Sequence, residues 1–259
     1  MSDLVPKSDS ERYEDALQNA LARTPARLMT GRAGPGYRTA TVLKLREDHA
    51  AARDAVHAEL DMHAAFGDER VDRFRLFWAQ TRARSKGEYL MRPDLGRRLD
   101  GESRERIGAD CPPGADLQVV IGDGLSATAV ASQAPPLLDR LYAAAAERGW
   151  RFGRPFLVRH CRVGVLNDVG DVLAPEVVVL LIGERPGMAT AESLSAYMAF
   201  RPRAGHSDAD RNLISNIHPR GVSTEAATAR IAALAEAMRF AGRSGIGLSE
   251  ASFPQLPLR

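Results

Sequence analysis

The run Val177-Val-Val-Leu-Leu-Ile182 is apolar at every position, and no other feature of the chain constrains its fold as much. A strand with one face in water alternates apolar and polar residues, so a strand without alternation has to be covered on both faces. Sheets of that kind are mostly parallel and carry helices on both sides, which requires strands and helices to alternate elsewhere. They do. Leu117 to Ile121 is a short apolar strand, and Leu138, Leu141, Tyr142 and Ala145 mark one face of a helix that stops at Gly149. Phe156-Leu-Val158 is a second strand and Val177–Ile182 a third. A helix is expected near Thr190 to Phe200, then a short strand from Ile214 to Ile217. The last helix opens at Ser223, a good N-cap, and buries Ala227, Ile231, Leu234 and Met238. The expected fold is α/β: a doubly wound, largely parallel, Rossmann-like sheet over residues 69–259.

Residues 1–68 read as a small helical N-terminal region. A short helical stretch around Ala16, Leu17 and Leu21 is followed by the loop Gly31–Thr39. A long helix then runs from about Val42 to Leu60, with Leu45, His49, Ala52, Val56 and Leu60 on one stripe, which makes His49 a core residue on this pattern. Further on, Phe74, Leu76 and Trp78 alternate as a half-buried strand does. The segment GESRERIGADCPPGAD, Gly101 to Asp116, reads as a long loop because of its breakers.

Charge and composition exclude several functions. With 35 Lys+Arg against 33 Asp+Glu the net charge is +2, which argues for neither nucleic acid nor an anionic membrane. No apolar run approaches the roughly 20 residues that span a bilayer. The start, MSDLVPKSDSERYEDAL, has no apolar signal-peptide core, so a cytoplasmic location is expected. Cys111 and Cys161 form no CxxC and read as two reduced thiols.

Ligands of open parallel sheets sit beyond the carboxyl ends of the strands. Two glycine turns fall there, Gly122-Asp-Gly-Leu-Ser126 and Gly183-Glu-Arg-Pro-Gly187, and both are expected to present N–H groups near a helix N-terminus. With Ala127 the first has the G-x-G-x-x-A spacing of a dinucleotide turn. That site also needs an acidic residue about 20 positions on, closing the next strand. Here the next strand ends in Arg159-His160-Cys161, so the second half of the site is missing. A stand-alone nicotinamide-linked oxidoreductase is therefore the alternative reading. Gly124-Leu-Ser126 lacks the second glycine of a nucleophile elbow, and His57 and His63 lack the i, i+4 zinc spacing. The run His206-Ser-Asp-Ala-Asp210 reads as a solvated loop, and no acid–base pair stands out.

In the order in which they occur, GRAGPGYRT (Gly31–Thr39), EYLMRPDLGRRL (Glu88–Leu99), DLQVVIGDGLSA (Asp116–Ala127), PFLVRHCRVGVLNDVG (Pro155–Gly170), VVVLLIGERPG (Val177–Gly187), AESLSAYMAFRPR (Ala191–Arg203) and DADRNLISNIHPRG (Asp208–Gly221) resemble the light (small) chain of ethanolamine ammonia-lyase. The resemblance covers about residues 25 to 246. It implies an adenosylcobalamin-dependent enzyme that turns ethanolamine into acetaldehyde and ammonia. In it a heavy TIM-barrel chain holds the substrate and the radical-handling residues, and the light chain encloses part of the corrinoid in a hetero-oligomer. Catalytic residues and metal ligands are then not expected in this chain. Cofactor contacts carry over to Val163, in RHCRVGV, to Glu184, in GERPG, and to Leu213, where some relatives carry cysteine. Asp61-Met-His63-Ala-Ala-Phe66 begins like the cobalt-ligand motif D-x-H-x-x-G but ends in Phe66, and the resemblance implies a cofactor that keeps its own benzimidazole. Some relatives carry an N-terminal extension directing them into a bacterial microcompartment. The residues before Arg12 show no amphipathic helix of that kind, so encapsulation is expected on the resemblance alone.

Overall fold

The computed structural model describes residues 8–23, 30–187 and 190–248. Helix α1 (Asp9–Arg23) comes first, then a small hairpin of β1 (Arg32–Ala33) and β2 (Gly36–Tyr37) within the expected loop, and helices α2 (Thr39–His57) and α3 (Met62–Phe74). Strand β3 (Trp78–Gln80), helix α4 (Lys86–Met91) and helix α5 (Gly101–Asp110) lead into β4 (Leu117–Gly122), α6 (Ala127–Glu147) and β5 (Phe156–Arg159). Helix α7 (Val165–Leu173), strands β6 (Val177–Gly183), β7 (Leu194–Phe200) and β8 (Asn212–Ile217), and helix α8 (Thr224–Ala241) follow. The main sheet has the order β3-β5-β4-β6-β7-β8. The pairs from β3 to β6 are parallel and the last two are antiparallel, so β7 alone runs against the rest.

The unalternating strand lies where its composition demands. Val177, Val179 and Leu181 of β6 enter one core, formed with α3, α6 and α8. Val178, Leu180 and Ile182 enter a second, formed with α5 and α7. The two layers are unequal. The first core continues over Leu194, Ala196 and Met198 of β7 and Ile214 and Ile217 of β8. The second takes nothing from β8 and only the half-buried Tyr197 from β7, so this face of the sheet is bare at β8, where Leu213 and Ser215 are exposed.

Four sequence expectations are corrected. Thr190–Phe200 is not a helix: Leu194–Phe200 is strand β7, paired residue for residue with β6 from Val177↔Phe200 to Gly183↔Leu194. Leu, Ala and Met favour a helix, but here the ladder and the burial of Leu194, Ala196 and Met198 at period two outweigh that local preference. Gly101–Asp116 is not a loop throughout, because Asp100 caps α5 by accepting from the Ser103 N–H at 2.8 Å, while Ser103 and Ile107 bury one side of it. Phe74 ends α3, where Arg75 turns left-handed at φ 49°, and the strand begins only at Trp78. The stripe on α2 is not core either: the one buried residue of the helix is Ala55, off the stripe, and His49 is exposed, while Leu60 is buried beyond the helix end. The last helix is as expected, with the Ser223 Oγ accepting from the Ala226 N–H at 3.2 Å.

Candidate functional site

The turn after β4 is a tight strand-to-helix connection, and its glycines answer to protein atoms, Gly122 to the Cys161 side chain and Gly124 to backbone. Gly124 has φ 57°, and a Cβ there would lie 2.5 Å from the Gly183 carbonyl oxygen. A Cβ on Gly183 would lie 2.1 Å from the Ser126 carbonyl oxygen. The two turns interlock: the Leu125 N–H donates to the Gly183 carbonyl at 3.1 Å, and the Ser126 Oγ donates to the Ala191 carbonyl at 2.6 Å. Ser126 also caps α6, accepting from the Ala129 N–H at 3.1 Å. The space that a pyrophosphate would need at this G-x-G-x-x-A spacing holds the backbone of residue 183. The second turn was expected at a helix N-terminus, but it leads into strand β7.

Asp123 ties this turn to the loop after β5. Its carboxylate accepts from the backbone N–H groups of His160 at 2.8 Å and Cys161 at 3.0 Å. A third loop joins them at Gly96, whose carbonyl accepts from the Arg162 N–H at 2.8 Å and where a Cβ would lie 2.8 Å from the His160 carbonyl oxygen. The neighbours β4 and β5 are followed by helices on opposite faces of the sheet, α6 in the first core and α7 in the second. A crevice opens where adjacent connections diverge in this way.

Two adjoining cavities, of about 790 and 410 Å³, occupy this end of the sheet and share Arg162, Val163, Tyr197 and Leu213 in their walls. The three residues carried over by resemblance come together here. Val163, between β5 and α7, and Leu213, on β8, line both cavities, and Glu184, directly after β6, lines the second. Leu213 stands 45% exposed on the bare face, opposite Tyr197 in the β7–β8 ladder. Glu184 is fixed by two donors on Oε1, the Ser195 hydroxyl at 2.6 Å and the Asn216 N–H at 2.9 Å. Among the described residues no arginine pairs with it.

Much of the remaining lining escaped the sequence reading. Tyr197 and Ser195 were hidden by the helical reading of their segment. His206 and Asp208 come from the run read as a solvated loop, Arg211 directly follows it, and the three form a wall of the larger cavity. Arg97 and Arg98 carry no chemical signal of their own; Gly96 beside them, forced small by the loop it touches, was the usable one. Asp168, 2% exposed, pairs with Arg98 at 2.9 Å and Arg104 at 3.2 Å and accepts from the Leu99 N–H at 2.8 Å. Arg211 pairs with Asp208 and donates to the Asn167 Oδ1 at 3.0 Å. Three buried polar atoms of the lining have no protein partner, namely Arg162 Nε, His206 Nδ1 and Arg211 Nε. Burial raises the Tyr197 phenol above its ordinary value, with Asp208 and Glu184 adding to the effect. Among the described residues no cluster of three or more His, Cys, Asp or Glu could hold a metal ion. The cleft thus offers hydrogen-bond donors, a fixed carboxylate, arginine charge and apolar surface. The Asp61 side chain caps α3, accepting from the Ala64 N–H at 3.0 Å, and Phe66 is buried, a structural reason for that short motif.

Residues 14–249 match the family model described as Ethanolamine ammonia-lyase light chain (EutC). The chain is 40% identical over 237 residues to the ethanolamine ammonia-lyase small subunit of Rhodopseudomonas palustris, covering 92% of this chain and 91% of that protein. It is 39% identical over 240 residues to the protein of the same name from Clostridium perfringens, covering 93% of this chain and 79% of the relative. Against the one from Clostridioides difficile the identity is 40% over 240 residues, with 93% and 78% covered. With a match of this extent, the chain belongs to the ethanolamine ammonia-lyase light-chain family.

Proposed function

We propose that this chain is the cofactor-enclosing, non-catalytic subunit of an adenosylcobalamin-dependent ethanolamine ammonia-lyase, with its cleft closed by a heavy TIM-barrel chain that carries the substrate. The observation that carries the reading is the convergence of Val163, Glu184 and Leu213, from three separate connections, on one cleft. The lining suits the group. A corrinoid presents a broad apolar disc edged with neutral amides, and here apolar side chains alternate with hydroxyls and a carboxylate held in place. Val163, Leu213 and the Tyr197 ring supply contact surface and exclude water, and Glu184 accepts from amide N–H groups. Bound adenosylcobalamin would supply the radical chemistry; the protein's part is orientation and protection. The interlocked glycine turn speaks against a stand-alone dinucleotide site. The same proposal includes the Rossmann-like reading of the sheet, a cytoplasmic setting and packing into a bacterial microcompartment, as in some relatives. Among the described residues no helix is long and apolar enough to cross a membrane.

The test is co-expression with the heavy chain, followed by titration of the complex with adenosylcobalamin and an ethanolamine turnover assay. Deamination that needs both chains is expected. Val163→Trp and Leu213→Trp should each weaken cobalamin affinity roughly tenfold or more, the factor that about 1.4 kcal/mol of lost contact gives. Unchanged affinity in variants that still co-purify would make the chain a structural clamp. Full turnover by the heavy chain alone would end the proposal.

A further inference from the structure

The larger cavity is lined by four arginines, Arg97, Arg98, Arg162 and Arg211, and one acidic residue, Asp208. Local carboxylates do not account for all of this charge. Arg211 takes Asp208, and Arg98 shares the buried Asp168 with Arg104. Arg97 and Arg162 have no carboxylate partner among the described residues. Nor is Arg162 a loose surface cation: its Nη2 donates to the Tyr89 carbonyl at 3.2 Å and its guanidinium lies 4.3 Å from the Tyr89 ring centroid. The stem of Arg97 lies on the next turn of the wall, where a Cβ at Gly164 would come 2.8 Å from that of Arg97. The Arg162 guanidinium is held against an aromatic face where the two cavities meet, and the stem of Arg97 packs on Gly164, with Arg97 itself exposed in the wall of the larger cavity. A fixed guanidinium presents a planar fork of donors that matches a phosphate better than an amide. Gathering such cations without counter-charges costs free energy unless an anion sits among them.

We infer that the wall of the larger cavity carrying Arg97 and Arg162 is a phosphate-ester subsite. Resting on the corrinoid reading above, it takes the phosphodiester of the cofactor's nucleotide tail. This sets the cofactor's direction in the cleft. The tail lies along that wall, beside Gly164 and His206, and the corrin amides lie toward Glu184 and Ser215. Arg162, common to both cavities, sits at the junction.

The test compares two ligands on the assembled complex with the heavy chain: adenosylcobalamin, and adenosylcobinamide, which lacks the nucleotide tail and its phosphodiester. Arg97→Ala should weaken adenosylcobalamin binding about tenfold, the size of a lost charge-assisted hydrogen bond, and leave adenosylcobinamide within about twofold. Arg162→Lys keeps the charge and loses the fork, so it is read beside Arg162→Ala in case loss of the Tyr89 contact disturbs the fold. Its loss should also fall on adenosylcobalamin alone, and added salt should weaken only that ligand in the wild-type complex. Equal losses for both ligands, or none, would overturn the subsite. If inorganic phosphate binds in an Arg97-dependent way while the wild type does not distinguish the two corrinoids, the site serves a free anion and the assignment to the tail is wrong. Failure of the wild-type complex to bind either corrinoid would instead overturn the functional reading itself.

Discussion

At Gly124 and Gly183 the missing side chain is what lets two backbone segments touch. A methyl at residue 183 would fall 2.1 Å from the Ser126 carbonyl oxygen, and the next nearest atoms are also Ser126 backbone, which has no flexible end to yield. Gly183→Ala should therefore cost about 2–4 kcal/mol in urea unfolding, the scale of forced overpacking with backbone displacement. Gly149 is the control. It has φ 65° with open space where a Cβ would stand, so Gly149→Ala should cost only about 1 kcal/mol, from backbone conformation alone. Equal costs at the two positions would sink the packing account. From the sequence, the G-x-G-x-x-A spacing was legible as a tight turn, and its missing acidic partner counted against a nucleotide. What fills the turn was not legible, because Gly183 arrives from another strand. The three carried-over residues were found by likeness to a family. Their own chemistry, two aliphatic side chains and one glutamate, would not have singled them out.

At the scale of elements, reading succeeded where pattern and burial agree. Strands β4, β5 and β6 are buried along nearly their whole length, and α8 has a serine cap with an apolar face, so local and tertiary preferences coincide. Strand β7 failed because the Leu, Met and two Ala of Leu194–Phe200 favour a helix, and the segment becomes a strand beside β6. Helix α5 failed because glycines at 101 and 108 and a charged face masked the Asp100 cap. Helix α2 is the opposite case, a helix read correctly whose stripe buries little. An isolated helix of its 19 residues is marginal in water, since helices in proteins draw most of their stability from a packed face. In hydrogen-exchange experiments on the chain alone, the amides of α2 should exchange orders of magnitude faster than those of α6, which buries ten residues. Comparable protection in the two helices would contradict the packing described.

The whole molecule has two ends of different character. The cleft lies beyond the carboxyl ends of β4, β5 and β6. At their amino ends Asp116 and Glu176, just before β4 and β6, hold a cluster with Arg151, Arg201 and Arg239. Hydrogen bonds from Arg239 and then Arg201 hold the Glu176 carboxyl below its ordinary value, against a smaller opposing effect of burial. A carboxyl with a lowered folded-state pKa contributes stability above its unfolded value of about 4.3, and the contribution is lost as pH falls through the folded value. Glu176→Gln should therefore cost about 1 kcal/mol at pH 7, with the gap to wild type closing below about pH 4. A gap that did not narrow at all as the pH fell below about 4.3 would show that packing, and not charge, is what Glu176 contributes. The interlocked turns also bear on how the chain assembles. The Leu125 amide at the mouth of α6 finds its acceptor only when Gly183 at the far end of β6 has come into register, after α6, β5 and α7 have intervened. Contacts that close so long a loop form late on a folding pathway. The same loop is closed when β4 pairs with β6, from Leu117↔Val177 to Gly122↔Ile182, so the first glycine turn is completed together with that ladder, and the cleft becomes a product of long-range pairing: intermediates that hold only local helices and turns would still lack a place to receive a ligand.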